Sequence, residues 1–241
     1  MSFPNIIFGS PGDQFVTGTT QVVEPVGSQL CLADGRKYRY ALKSAAAAVA
    51  GDVQSSPASV ANHDKMTPTA AAVGAVAVTV ALGATAVTAD QYRDGYLAIE
   101  VGTGFGYVYA IASHAAVASA GSMVVPLREP VQVAIPATAV STSLISSIWR
   151  LVVVAPTTET GAIAGCAVKP IAASAFGWLQ TRGIGSATCV ASTVAGENLS
   201  IITTAGSLGP VAAGTTNVIA QAASVVVGAT EKGTVYFCVD G

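Results

Sequence analysis

Apolar and polar residues alternate with a period of two over many short stretches of this chain. The clearest stretch runs from Gly95 to His114, GYLAIEVGTGFGYVYAIASH. Leu97, Ile99 and Val101 alternate with Tyr96, Ala98 and Glu100, the signature of a strand with one buried face. Gly102, Gly104 and Gly106 supply the backbone freedom of a tight reversal, and Tyr107, Tyr109 and Ile111 resume the alternation, so the pattern predicts a β-hairpin. Val76, Val78, Val80 and Leu82 fall on alternate positions and predict a strand over Ala75–Leu82. Val131, Val133 and Ile135 do the same between Pro130 and Pro136, where proline removes no interior ladder bond.

Ile148–Val154 is a short apolar run. Phe176-Gly177-Trp178-Leu179-Gln180-Thr181-Arg182-Gly183 reads as a strand ending in a turn. Leu199–Thr203 and Val218–Val227 predict strands, Gly228–Gly233 a turn, and Val235, Phe237 and Val239 one face of a closing strand. Asp34-Gly35 is a turn signal. The alanine run Ser44–Ala50 predicts a short helix, ended by Gly51-Asp52.

Residues 1–33 carry scattered proline and glycine and read as an extended N-terminal arm, ordered by packing on something else. Thr157–Gly165, TTETGAIAG, is the best linker. The expected organisation is therefore an arm over 1–33, a β domain with the central hairpin over 34–156, and a smaller β domain over 157–241. The fold class is mainly β with little helix, as β-sandwich or small β-barrel domains.

Composition narrows the function. Charged residues make up 10% of the 241 residues, against roughly 25% in typical globular chains. Hydrophobic residues reach 51% but aromatics only 6%, so alanine and valine carry the apolar count. A surface so poor in charge is weakly defended against association, which points to faces covered by other subunits or another protein. The net charge of −2 draws the chain neither to nucleic acid nor to an acidic membrane. Met66–Ala89 is uncharged and long enough to span a bilayer, but its proline, its glycines and its period of two favour a strand. The N-terminus has no basic region followed by a long apolar core, which points to a cytosolic origin.

Candidate chemistry is sparse. Arg36-Lys37-Tyr38-Arg39-Tyr40, with Lys43, interleaves basic and aromatic residues as nucleic-acid binders do. The overall charge balance instead favours a strand with charged and aromatic faces, or a patch meeting an acidic protein surface. His63 beside Asp64 lacks a partnered nucleophile and reads as a locally bonded loop histidine, and His114 as a structural one. Asp90 and Asp94 are expected to shape a loop, with Arg93 between them. The GTGFG glycines are followed by strand-like residues, not by the helix a phosphate cradle needs. Cys31, Cys166, Cys189 and Cys238 form no CxxC pair and are expected to be free and buried. Asn198-Leu199-Ser200 matches the glycosylation pattern, which matters only in a secreted chain. No catalytic, cofactor-binding or metal residue is assigned, and no cofactor is expected.

Three segments, DGRKYRY at Asp34–Tyr40, GYL with GTGFGY over Gly95–Tyr107, and FGWLQTRG at Phe176–Gly183, resemble the head decoration proteins of tailed bacteriophages, also called capsid cement or stabilising proteins. The resemblance runs from about Asp34 to the C-terminus, with Trp178 and Gly183 its most telling positions. It implies a non-enzymatic virion component, made in the host bacterial cytoplasm, that binds the major capsid protein on the outer capsid surface. Proteins of this type are often trimers clamping neighbouring capsomers. A head-fibre or adhesin-like module binding a carbohydrate or receptor is the alternative. It requires exposed aromatics grouped on loops, and Trp149 and Trp178 lie instead in apolar, strand-like runs.

Overall fold

The computed structural model describes residues 6–23, 25–190, 193–211, 218–225 and 232–240. The chain forms two compact units, Met1–Pro57 with Ile148–Gly241, and Ala58–Ser147. In chain order the first unit supplies β1 (Ile6–Phe8), β2 (Gln29–Cys31), β3 (Lys37–Lys43) and β4 (Val53–Ser55). The second supplies β5 (Ala77–Ala81), β6 (Tyr96–Val101), β7 (Val108–Ala110), β8 (Ser122–Pro126) and β9 (Ser141–Ile145). The first then resumes with β10 (Arg150–Val154), β11 (Ile163–Ala167), β12 (Phe176–Thr188), β13 (Asn198–Ile201), β14 (Leu208–Pro210), β15 (Ala220–Ala222) and β16 (Lys232–Cys238). Among the described residues the only helical elements are two 3-10 turns of three residues each. The protein is mainly β, as the alternation requires.

The first unit is organised around β12. Its first half pairs antiparallel with both β3 and β11, and its second half pairs with β16. Because β3, β10, β4, β11 and β12 pair in succession and β12 pairs back with β3, those strands close into a small barrel. A ring of five strands encloses a narrow interior that large side chains would overfill. Its core is accordingly Ala41, Ala164, Ala167, Val152, Ile171 and Leu179 with close neighbours, which is where the alanine-rich composition goes. The strand does not stop at Gly183 as the sequence suggests. A register shift between Gln180 and Arg182 and a φ of +88° at Gly183 bend it, and the bent strand runs on to Thr188. Glycine tolerates that left-handed backbone, so the bend spares the ladder.

Residues 6–33 are not a separate arm. β1 and β2 extend the sheet from β3, and Val26, Leu30 and Leu32 pack against Tyr38, Tyr40, Phe176 and Trp178. The Asp34-Gly35 turn joins β2 to β3. The expected helix over Ser44–Ala50 is absent. Its backbone is drawn instead to the segment before β12, where the Ala48 N–H donates to Ile171 and the Ser174 N–H to Ser44. The boundary expected at Thr157–Gly165 also falls inside this unit, because Ser56 and Ala162 exchange hydrogen bonds and Ile163 pairs with Ser55. Of the strand expected over Val218–Val227, Ala220–Ala222 is formed; the remainder beyond 225, and most of the Gly228–Gly233 turn, lie outside the described residues.

The second unit holds a pair, β5 with β8, and a sheet ordered β7-β6-β9. Val78 and Val80, Met123 and Val125, Leu97 and Ile99, Tyr109 and Leu144 all meet in one core, so both sheets turn their apolar faces to the same interior. The hairpin forms as expected, and its register sets Leu97 opposite Tyr109 and Ala98 opposite Val108. Val101 departs from the alternation and is exposed, because a register shift between Ile99 and Val101 reverses its side of the strand. Val131 and Ile135 are buried as expected but form no strand. The uncharged Met66–Ala89 stretch contains β5, and no helix among the described residues is long and apolar enough to cross a membrane.

Candidate interaction surface

The residues with chemical potential are mostly engaged inside the fold. In the basic and aromatic segment, Tyr38 and Tyr40 are buried. Arg36 pairs with Asp34 at 2.7 Å, and Arg39 pairs with Asp240 at 2.7 Å while lying 4.9 Å from the centre of the Trp149 ring. Lys43 is 0% exposed and its Nζ donates to the Val152 carbonyl at 2.7 Å. Burial pulls its amine down to about 8, with the Asp52 carboxylate pushing the other way. The interleaving therefore serves the two faces of β3, with Tyr38 and Tyr40 buried on one and Lys37 and Arg39 half-buried on the other.

A crevice of about 210 Å³ in the first unit is lined by Phe15, Arg36, Tyr38, Gln180 and Lys232 among others. Both of its cations are already bonded, Arg36 to Asp34 and Lys232 to Thr188 Oγ1 and the Ala50 carbonyl.

In the second unit, His63 and His114 are buried and share one neighbour. The His63 Nδ1 lies 2.6 Å from the Tyr92 hydroxyl, and the Tyr92 N–H donates to the His114 Nε2 at 3.0 Å. Nothing in the sequence pattern marks Tyr92 as their common partner, since no local periodicity joins residues 29 and 22 positions apart. Asp90 and Asp94 both adopt positive φ in the turn around Tyr92 and are bonded to different arginines, Arg93 and Arg128. Burial alone would raise the Asp90 carboxyl, but hydrogen bonds from Ser113 Oγ and the His114 N–H, with the Arg93 charge, hold it below the ordinary carboxylate value.

Among the described residues no group of three or more His, Cys, Asp or Glu is placed to hold a metal. All four cysteines are free; Cys166 and Cys189 are buried and burial pushes both thiols up, whereas Cys31 is half-buried and Cys238 is exposed, contrary to expectation. The Cys238 side chain takes the outer face of β16, opposite buried Val235 and Phe237. The GTGFG glycines turn between two strands, as expected. Trp178 is buried, and the Trp149 indole N–H donates to the Ala164 carbonyl at 3.1 Å.

The fold leaves several large apolar side chains uncovered. On the solvent side of the β7-β6-β9 sheet, Tyr96 lies opposite Ala110 and Ile145, and Ala98 lies opposite Val108. Tyr96, Val108 and Ile145 are 46%, 51% and 41% exposed. At the hairpin tip Phe105 is 73% exposed and Tyr107 43%. In the first unit, Phe8 on the edge strand β1 is 86% exposed. Apolar rows of this kind on one sheet face and one sheet edge are suited to protein contact. No family model, no curated protein and no solved structure matches this chain.

Proposed function

We propose that this protein is a non-enzymatic virion component that binds the outer surface of a phage capsid and stabilises contacts between capsomers. The observation that carries the reading is the apolar outer face of the β7-β6-β9 sheet, with Tyr96, Val108 and Ile145 half exposed. A face of that composition gains free energy when another protein covers it. The low share of charged residues and the resemblance of the DGRKYRY, GYL–GTGFGY and FGWLQTRG segments to decoration proteins support the same reading. A shell built from many copies multiplies modest contacts by avidity, so a small face per subunit suffices. The partner is the major capsid protein, and the protein associates with itself as a trimer.

The test is binding of the purified protein to capsids stripped of decoration, beside Tyr96→Lys and Ile145→Lys variants. Wild-type protein is expected to bind and to raise the temperature at which the particles open. The lysine variants are expected to fold but to bind at least about tenfold more weakly, since each places a charge in a face that must be desolvated. Failure of the wild-type protein to bind the particles overturns the reading. A monomer by light scattering at micromolar concentration would remove the trimer.

One observation favours a second reading. Phe105 and Tyr107 at the hairpin tip, with Tyr96 on the same hairpin, are exposed aromatics of the kind that stack on sugars. A head-fibre or adhesin-like module would bind host-cell glycans and ignore stripped capsids, and Phe105→Ala would abolish that binding.

A further inference from the structure

The two histidines of the chain both lie in the Ala58–Ser147 unit, and both bond to Tyr92. Their protonation states follow from their partners. A backbone N–H only donates, so the His114 Nε2, 3.0 Å from the Tyr92 N, must be an unprotonated acceptor. The His114 Nδ1 lies 3.0 Å from the Ala115 carbonyl, which only accepts, so the ring proton is there. Likewise the His63 Nε2, 3.0 Å from the Thr85 carbonyl, carries the proton of that ring, and its Nδ1 accepts from the Tyr92 hydroxyl. Burial raises the Tyr92 hydroxyl, which therefore keeps the proton it donates. Tyr92 thus spends both of its donors, side chain and backbone, on two neutral imidazoles. All three residues are buried.

We propose that Tyr92 and the two histidines form an acid-sensitive latch that holds the Asp90–Gly95 turn closed only while His114 is neutral. A proton on the His114 Nε2 would set two N–H groups against each other at 3.0 Å in a buried site. The ring must then swing away and leave the Tyr92 N–H without an acceptor. A proton on the His63 Nδ1 is a lesser insult. The ring can then donate to the Tyr92 oxygen, but the hydroxyl hydrogen loses its acceptor.

The same turn is joined to the Ile111–His114 segment by three bonds between backbone groups. The Asp90 N–H donates to the His114 carbonyl, the Asp94 N–H to Ile111, and the Ile111 N–H to Gly95. Opening it frees the start of β6, the strand that carries Tyr96. The charged groups around the latch are Asp64 and Lys65 beside His63, Asp90 with Arg93 beside His114, and Asp94 in the turn itself, paired with Arg128. A carboxylate at a ring nitrogen would welcome the proton, but the nitrogens are taken by Tyr92, Thr85 and Ala115. The Asp90 oxygens are held by Ser113, the His114 N–H and Arg93. The first unit contains no histidine, so in the histidine range the effect belongs to the second unit. None of this depends on a capsid partner.

Hydrogen exchange followed by mass spectrometry at about pH 7.5 and about pH 5, with exchange times scaled for the intrinsic chemical rate, tests the latch. The amides of 88–100 and 111–115 are expected to lose protection by at least about tenfold at the lower pH, while those of 150–188 keep theirs. His114→Gln puts an amide oxygen where the Nε2 stands, so it can accept from the Tyr92 N–H but takes up no proton. This variant is expected to keep its protection in acid, and Tyr92→Phe, which retains the backbone bond, to keep most of the acid response. Unchanged protection at the lower pH, equal loss in both units, or a His114→Gln variant as acid-sensitive as wild type would each overturn the proposal. Should that variant fail to fold, nitrogen NMR of the wild-type rings decides. An Nδ1–H tautomer at His114 near neutral pH is expected, and an Nε2–H tautomer overturns the proposal.

Discussion

Arg39 and Asp240 lie 201 residues apart in the chain and meet in a two-pronged ion pair, Nε to Oδ2 at 2.7 Å and Nη2 to Oδ1 at 3.3 Å. Arg39 Nη1 also donates to the Gly27 carbonyl at 3.0 Å, and Thr181 Oγ1 to Asp240 Oδ2 at 3.0 Å. The pair thereby ties the segment before β2, strand β3, strand β12 and the segment after β16 into one polar cluster.

Asp240→Ala should destabilise the first unit by roughly 1–3 kcal/mol, because it strands a partly covered guanidinium that a bidentate carboxylate now satisfies. Burial alone would raise the Asp240 carboxyl, but the Arg39 bonds and charge, with Thr181, hold it below its ordinary value of 3.8. Its contribution is therefore full above that value and is lost as pH falls through the lower folded-state value. Urea unfolding followed by tryptophan emission reads this unit alone, since Trp149 and Trp178 both belong to it. An unchanged midpoint for Asp240→Ala at neutral pH would show the pair to be idle.

Lys43 shifts stability in the same direction as Asp240, but in the alkaline range. Its amine sits at about 8 in the folded chain against 10.5 when free. Between those values the unfolded chain holds a proton that the folded chain has released, so raising the pH favours folding through this group. Relative to Lys43→Met, which cannot titrate, the wild-type protein should gain roughly 3 kcal/mol over that window. The comparison with the variant cancels the buried Tyr38, Tyr92, Cys166 and Cys189, which are pushed upward and work in the opposite direction at high pH. A constant gap between the two proteins from pH 8 to 10.5 would contradict this account.

Removal of residues 1–33 should unfold the barrel side of the first unit instead of leaving it intact. Val26, Leu30 and Leu32 would no longer cover Tyr38, Tyr40 and Trp178. Losing several buried side chains at about 2–5 kcal/mol each exceeds the stability of most domains. Tryptophan emission shifted to the red in the truncated chain is the expected readout, and a melting curve like that of the full chain would restore the free-arm picture.

Gly102→Ala should destabilise the second unit by at least about 2 kcal/mol. Gly102 has a φ of +84°, and a Cβ there would run into the Ala139 carbonyl oxygen, a backbone atom that cannot step aside. Faster hydrogen exchange across β6 and β9, with tryptophan emission unchanged, is the expected outcome. Wild-type exchange rates in the variant would mean that the loop carrying Ala139 moves freely.

The parts of the fold that local chemistry controls were legible in the residues. The alternation in Leu97–Ile99 and Tyr107–Ile111 and the glycines between them specify the hairpin, and Asp34-Gly35 specifies the β2–β3 turn. Local chemistry failed where a distant backbone competed. Ser44–Ala50 has good helix formers, but helix propensity is worth at most about 0.7 kcal/mol per ordinary residue, and pairing with Ile171 and Ser174 outweighs it. Val101 shows the same limit on a smaller scale, since one register shift reverses the face that its position implies. At the latch, each histidine was visible singly, but its hydrogen-bond role was not, because Tyr92 is brought to both only by the closing of the turn.

The amino-acid sequence by itself determined that this protein is mainly β, thinly charged and filled with small side chains, because period and composition act residue by residue. Only the tertiary structure decided that β3 and β12 close a barrel, that residues 6–33 belong to its sheet, and that the chain divides near 57 and 147. Alternation says which side of a strand is buried, but every backbone offers the same N–H and C=O groups to any neighbour. The choice among neighbours is made by the whole packed assembly.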